Sequence, residues 1–208
     1  MTTTKKLVIA VVALSLALIA FAGTTLAWLT AESSEVENTF TYGKVALTLD
    51  EADVDEYGQL EYKDEQKNEL KDRVIENEYK LVPGSTYVKD PIVHVTEESE
   101  ECYVFVKVVN GLEAIVDGKN NDIKTIEEQM AANGWLALDS VENVWYYKEI
   151  VDARTEAVDL PVFESFTVIG TAVVADYKDA SITIQAYAVQ KANIDTVAEA
   201  WAIASAQN

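Results

Sequence analysis

A chain of 208 residues, 49% hydrophobic and 25% charged, is long enough to bury a core as one ordinary domain with appendages. Its 36 acidic residues against 16 basic ones give a formal net charge of -20, which supplies no basic face for a nucleic acid. One cysteine, Cys102, excludes an internal disulfide framework, and one histidine, His94, excludes HExxH zincins and every other site that needs two.

The amino terminus sets the expected compartment. Lys5 and Lys6 precede an unbroken apolar run over 7–22, then Gly23, Thr24 and Thr25, and the next charge is Glu32. This order of basic, apolar and small residues predicts a secretory signal peptide over 1–27, cleaved between Ala27 and Trp28. A retained membrane anchor is the alternative, since the charge-free stretch 7–31 is long enough to span. Cleavage removes two lysines and no acid, so the formal charge falls from -20 to -22. A secreted chain with a single cysteine fits Gram-positive-type export, where folding does not rely on disulfides.

Strands dominate the expectations for the rest. Residues 40–49 alternate, with Val45, Leu47 and Leu49 on one face. Residues 50–72 are acidic and aperiodic, a long solvated excursion with room for a short helix. Leu81-Val82-Pro83-Gly84-Ser85 is a turn, because Pro pre-sets one turn angle and Gly accepts positive φ. Residues 86–96 form a second strand, in which Pro91 marks an edge or a bulge. Residues 102–109 are the strongest strand, with Cys102, Val104, Val106 and Val108 on one face and Tyr103, Phe105, Lys107 and Val109 on the other. Helical spacing follows over 122–133, with Gly134 as its stop. Strands are expected over 135–138, 144–151 and 162–169, with 151–160 as a connection, and again over 181–190. A terminal helix carries Ile194, Val197, Ala198, Trp201 and Ala204 as its apolar stripe, capped by Asn193 or Asp195. The sum is a mainly β chain, an antiparallel β-sandwich with inserted helices and a C-terminal helix.

A catalytic constellation does not assemble from these residues. His94 falls on a semi-exposed strand face beside Ile92 and Thr96, and Cys102 on an apolar face with no basic neighbour to form a thiolate. Glu97, Glu98, Glu100 and Glu101 read as a solvated run before a strand. Asp53, Asp55, Gly58 and Asp64 match positions 1, 3, 6 and 12 of a calcium loop, but Tyr57 stands at position 5, Asp replaces Glu at 12, and no helices flank it. Asp53, Asp55 and Asp64 are therefore only a weak Ca2+ candidate, and no cofactor is expected.

Several ordered strings carry a family resemblance. Residues 23–31, Gly-Thr-Thr-Leu-Ala-Trp-Leu-Thr-Ala, are followed by Val-Glu-Asn-Thr-Phe-Thr-Tyr-Gly-Lys-Val over 36–45. Leu-Val-Pro-Gly-Ser-Thr-Tyr-Val-Lys-Asp-Pro spans 81–91, Cys-Tyr-Val-Phe-Val-Lys spans 102–107, and Ala-Tyr-Ala-Val-Gln spans 186–190 ahead of Glu199-Ala200-Trp201. Together they resemble the TasA/camelysin (CalY) family of proteins exported with a SipW-dependent signal peptide. The resemblance implies a jelly-roll sandwich over 40–208, processing by a signal peptidase of SipW type, and assembly into extracellular biofilm-matrix fibres as a homo-polymer, with an accessory matrix or assembly protein as a possible partner.

The resemblance also implies a mechanism, in which the mature amino-terminal segment, 28–39, becomes a strand in the next subunit. The interface residues would be Trp28, Leu29, Thr30, Ala31, Val36 and Phe40. Such donation is β-augmentation of an open sheet edge, and a head-to-tail interface that does not close gives filaments. The alternative for 28–38 is a leader that stays unstructured or pairs within its own subunit. Two other functions stay open: a monomeric cell-surface binding module or adhesin, and a camelysin-type metallopeptidase, from which this chain departs in having one histidine and no HExxH.

Overall fold

Short alternating segments separated by turns fold into three antiparallel sheets. The computed structural model describes residues 44–116, 124–173 and 180–206, all within one compact unit, Tyr42–Asn208. The strands are β1 (Leu47–Asp50), β2 (Thr86–Val88), β3 (Ile92–Val95), β4 (Ser99–Asn110), β5 (Trp135–Ala137), β6 (Val144–Tyr147), β7 (Val151–Ala153), β8 (Val158–Pro161), β9 (Ser165–Thr167) and β10 (Ile182–Gln190). Among the described residues two helices accompany them, α1 (Ile126–Ala132) and α2 (Val197–Ser205).

One sheet has the order β1-β3-β8 and a second β10-β4-β6-β5, with β7 also paired to β4; β2 and β9 form a two-stranded ribbon. The long β4 organises the second sheet. Its 102–110 stretch pairs with β10 along one edge, while the other edge takes β6 at Phe105–Lys107 and β7 near Ser99 and Cys102.

The alternation in β4 fixes two cores. Cys102, Val104, Val106 and Val108 face inward onto Val93 and Val95 of β3, Leu160 of β8 and Phe166 of β9, which makes the sandwich interior. Tyr103 and Phe105 face outward into a second cluster with Val144, Val189, Ile194, Ala200 and Ala204, where α2 covers the sheet. A strand buried on both faces reads as a nearly continuous apolar run, as this one does. The Phe105 ring lies 5.3 Å from Trp201, which in turn meets Tyr187 at 5.2 Å. Each large side chain withdrawn from water here contributes about 1.5–3 kcal/mol.

The helix ends follow local chemistry. Thr125 and Glu128 form a reciprocal capping box at the start of α1. Thr196, not Asn193 or Asp195, caps α2 through the Glu199 amide, and Ala198 is exposed rather than part of the buried stripe.

Other boundaries also differ from expectation. Residues 86–96 divide at Asp90-Pro91 into β2 and β3, which belong to different sheets, and β3 is a central strand flanked by β1 and β8. Residues 144–151 break into β6 and β7, and the connection expected over 151–160 contains β7 and most of β8. The excursion after β1 has no helix; isolated bridges Glu51–Val74, Val54–Leu60 and Tyr62–Leu70 zip it into a ladder. The expected turn forms, with Gly84 at φ 82 and the Ser85 amide donating to Val82 O.

Candidate functional site

The most distinctive surface feature is a sheet edge that no other described strand pairs. Gly111 N–H donates to Ser181 O and Lys191 N–H to Glu101 O. Alternation from these two bonds turns the odd-numbered residues of β10 toward β4 and leaves the backbone groups of Ile182, Ile184, Ala186 and Ala188 on the far edge. No described strand pairs with that edge.

The edge strand of β1 is similar. Thr96 N–H donates to Ala46 O, so Leu47 and Leu49 turn their backbone groups away from β3. Glu51 and Val74 exchange two hydrogen bonds at 2.8 and 2.7 Å on that same side and cap its end.

Between the ends of these edges the surface is hollow. A cavity of about 350 Å3 is lined by Leu49 and Glu51 on one side and Ser181, Ile182 and Ile184 on the other. A second, of about 790 Å3, is lined by Tyr79, Leu81, Leu112, Phe166 and Ile182, and shares Asn77, Lys89, Ser181 and Ile182 with the first. The apolar side chains Leu47, Leu49, Ile182, Ile184, Ala186 and Ala188 are half-buried against the sandwich core.

Two polar networks root the excursion beside this hollow. On the outer side, Asp50 bonds both Arg73 and His94 Nε2, the latter at 3.0 Å, and Arg73 also reaches Asp90 at 3.0 Å. His94 Nδ1 meets Asp159 of β8 at 2.6 Å, so carboxylates engage both ring nitrogens. Burial works against a charged imidazole, but the bonds to Asp50 and Asp159 outweigh it and hold its pKa above the ordinary 6.5. Burial likewise opposes ionisation of Asp50, and Arg73 and His94 outweigh it, holding that carboxyl below 3.8. On the inner side, Glu51 bonds Lys89 and Asn77, and Tyr79 lies over the lysine with its hydroxyl donating to Val88 O.

The other sequence-derived candidates fall as follows. Asp53 pairs with Lys71, Asp55 accepts from the Tyr57 and Gln59 amides, and Asp64 accepts from the Asn68 amide. Among the described residues no three histidine, cysteine or carboxylate side chains gather as a metal-ligand set. Cys102 is fully buried. Ala27, Trp28, Leu29, Thr30, Ala31, Val36 and Phe40 lie outside the described residues. Among those that are described, no helix is long and apolar enough to cross a membrane.

The inner network was not anticipated from sequence, although a signal existed. Strand alternation puts Lys89 on the same face as Tyr87, a buried aromatic, so an inward lysine was readable there. The chain matches no protein-family model, no curated protein and no solved structure.

Proposed function

We propose that this protein is a secreted biofilm-matrix fibre subunit that polymerises head to tail, each copy placing its mature amino-terminal segment 28–39 along the open edge of the next. One observation carries the proposal. β10, Ile-Thr-Ile-Gln-Ala-Tyr-Ala-Val-Gln, is nine residues long, has an edge that no described strand pairs, and carries no charged side chain, in a chain that is 25% charged. Exposed edges are ordinarily blunted by lysine, proline, bulges or brevity. The other terminal strands of the two larger sheets are short: β5 has three residues, β1 has four, and β8 has four and ends in Pro161. The uncharged edge of β10 and the hollow beside it, where Leu49, Ile182 and Ile184 stand among Glu51, Asn77 and Lys89, suit an incoming strand, which would gain main-chain hydrogen bonds along the edge and side-chain burial against the apolar members of the hollow.

The resemblance to the TasA/camelysin family supports the same assignment. On that resemblance the protein would act outside a Gram-positive-type cell, after removal of 1–27 by a signal peptidase of SipW type, with a separate matrix or assembly protein as an accessory partner. Copies at a formal charge near -22 repel one another, so salt promotes assembly.

Electron microscopy of the chain beginning at Trp28, across concentration and ionic strength, tests the proposal. Uniform filaments that disappear when 28–38 is deleted are expected. Normal filaments from the deletion variant refute strand donation. A monomer under every condition, with or without a matrix partner, favours the surface binding module instead.

A further inference from the structure

The geometry points to an autocatalytic isopeptide bond between Lys89 and Asn77, with Glu51 moving the protons. Lys89 and Glu51 are 8% and 4% exposed, the only buried charged side chains among the described residues. Glu51 Oε2 lies 2.5 Å from Lys89 Nζ, and its other oxygen, Oε1, accepts from Asn77 Nδ2 at 2.9 Å. One carboxylate therefore holds an amine nucleophile and a carboxamide side by side. All three residues line the same cavity of about 350 Å3, which leaves the side chains room to close the remaining gap.

The carboxamide is also set up as an electrophile. Its Oδ1 accepts from the Val54 N–H at 3.2 Å, and that donor is aimed where negative charge develops when Cγ is attacked. Its nitrogen also donates to Ala52 O at 2.9 Å, which fixes the plane of the amide. Tyr79 stands over Lys89 Nζ, 5.9 Å from the ring centroid.

The reaction balances without any co-reactant. Glu51 Oε2 takes a proton from the Lys89 ammonium, and the freed lone pair forms the Nζ–Cγ bond. The Cγ–Nδ2 bond then breaks with its electrons on nitrogen, which leaves carrying the proton held on Glu51 Oε2, delivered as the carboxyl turns toward it. A second proton leaves Nζ as the amide forms and departs with the ammonia as ammonium. Lysine ammonium and asparagine carboxamide thus become a secondary amide and ammonium, with nothing oxidised or reduced. In a chain with one cysteine, the bond would supply the covalent staple that a disulfide cannot. It is independent of fibre assembly.

Mass spectrometry of the purified full chain tests the inference. The intact mass is expected to be lower than the sequence mass by one ammonia. Trypsin cannot cut at an acylated Lys89, so the digest should contain residues 74–80 joined to residues 81–107 through Asn77 and Lys89. Asn77→Ala is expected to restore the full mass, and Asn77→Asp to lose one water instead. Glu51→Gln is expected to abolish the cross-linked peptide. Three results overturn the inference. The first is a wild-type chain at full mass. The second is an ammonia loss with normal cleavage after Lys89, which marks a succinimide at Asn77. The third is a cross-link that survives Glu51→Gln at the wild-type extent, which removes Glu51 from the chemistry.

Discussion

Replacing Gly58 by alanine should destabilise the fold sharply, for a reason unrelated to metal binding. Gly58 sits where a calcium loop would carry its turn glycine, but here it packs directly on β2. Its φ is +72, and a Cβ there would stand 2.7 Å from Tyr87 Cδ1 and 2.8 Å from both Tyr87 Cα and Cβ. Tyr87 cannot yield easily. It is 1% exposed, stacked on Phe166 at 5.2 Å, and its hydroxyl donates to Lys80 O. The Val88 N–H also donates to Gly58 O at 3.1 Å, which ties the two backbones together. A left-handed alanine costs about 1 kcal/mol, and overpacking against a fixed neighbour about 1–3 kcal/mol more, so the expected loss is about 2–4 kcal/mol. Gly84→Ala is the control. Its φ is +82, but the nearest atom to its Cβ is Gly170 Cα at 3.9 Å, so only the backbone term of about 1 kcal/mol applies. Urea unfolding of both variants at equal m-value, with and without calcium, gives the comparison. Equal losses at the two glycines, or rescue of Gly58→Ala by calcium, would refute the packing argument.

Two further outcomes follow from titratable groups. The raised pKa of His94 means that its ion pairs stabilise the fold fully below pH 6.5, and that this contribution disappears as pH rises through the native value. His94→Gln should therefore cost stability at pH 6 and almost none at pH 9, while wild type loses stability over that interval; parallel urea curves for the two proteins would contradict this. Burial, with the Asp152 charge adding to it, pushes the Cys102 thiol up to about 11 from 9.0. At pH 8 iodoacetamide should label native Cys102 at least about a hundredfold more slowly than the urea-unfolded chain, and equal rates would refute its burial.

The elements that could be read in the sequence are those whose partners are close at hand or whose pattern is long. β4 alternates over 102–109 and β10 over nine residues, and the turn at 82–85 carries its own Pro-Gly chemistry. The two faces of β4 were separable because each apolar set has a period of two. β8 was missed because four residues, Val-Asp-Leu-Pro, give only two turns of alternation and end in proline. The division of 86–96 was missed because a proline beside a strand signals an edge or a break equally well; only pairing of β3 with both β1 and β8 decides it. The polar networks were beyond reach for a different reason. Glu51 meets Lys89 across 38 positions and Asn77 across 26, and His94 meets Asp159 across 65, so no local spacing encodes them. The uncharged edge of β10 could be read as composition, but its openness depends on the order of the strands.

Successive residues at the end of β1 explain how so acidic an excursion stays ordered. Alternation sends Asp50 and Glu51 to opposite faces, and it sends Lys89 and Asp90, just before β3, to opposite faces as well. On the outer face the two acids, Asp50 and Asp90, are bridged by Arg73, which enters from the excursion itself. On the inner face the acid and the lysine meet directly, and Asn77 enters from the excursion to join them. Each network thus ties the end of β1, the start of β3 and one residue of the intervening chain. The outer tie is partly exposed and open to screening by salt; the inner one, with Lys89 and Glu51 nearly buried, is screened much less. Salt can therefore relieve repulsion between acidic copies without loosening the inner root of the excursion, which forms one wall of the hollow beside β10. The same ionic conditions that bring subunits together leave intact the surface on which they are proposed to meet.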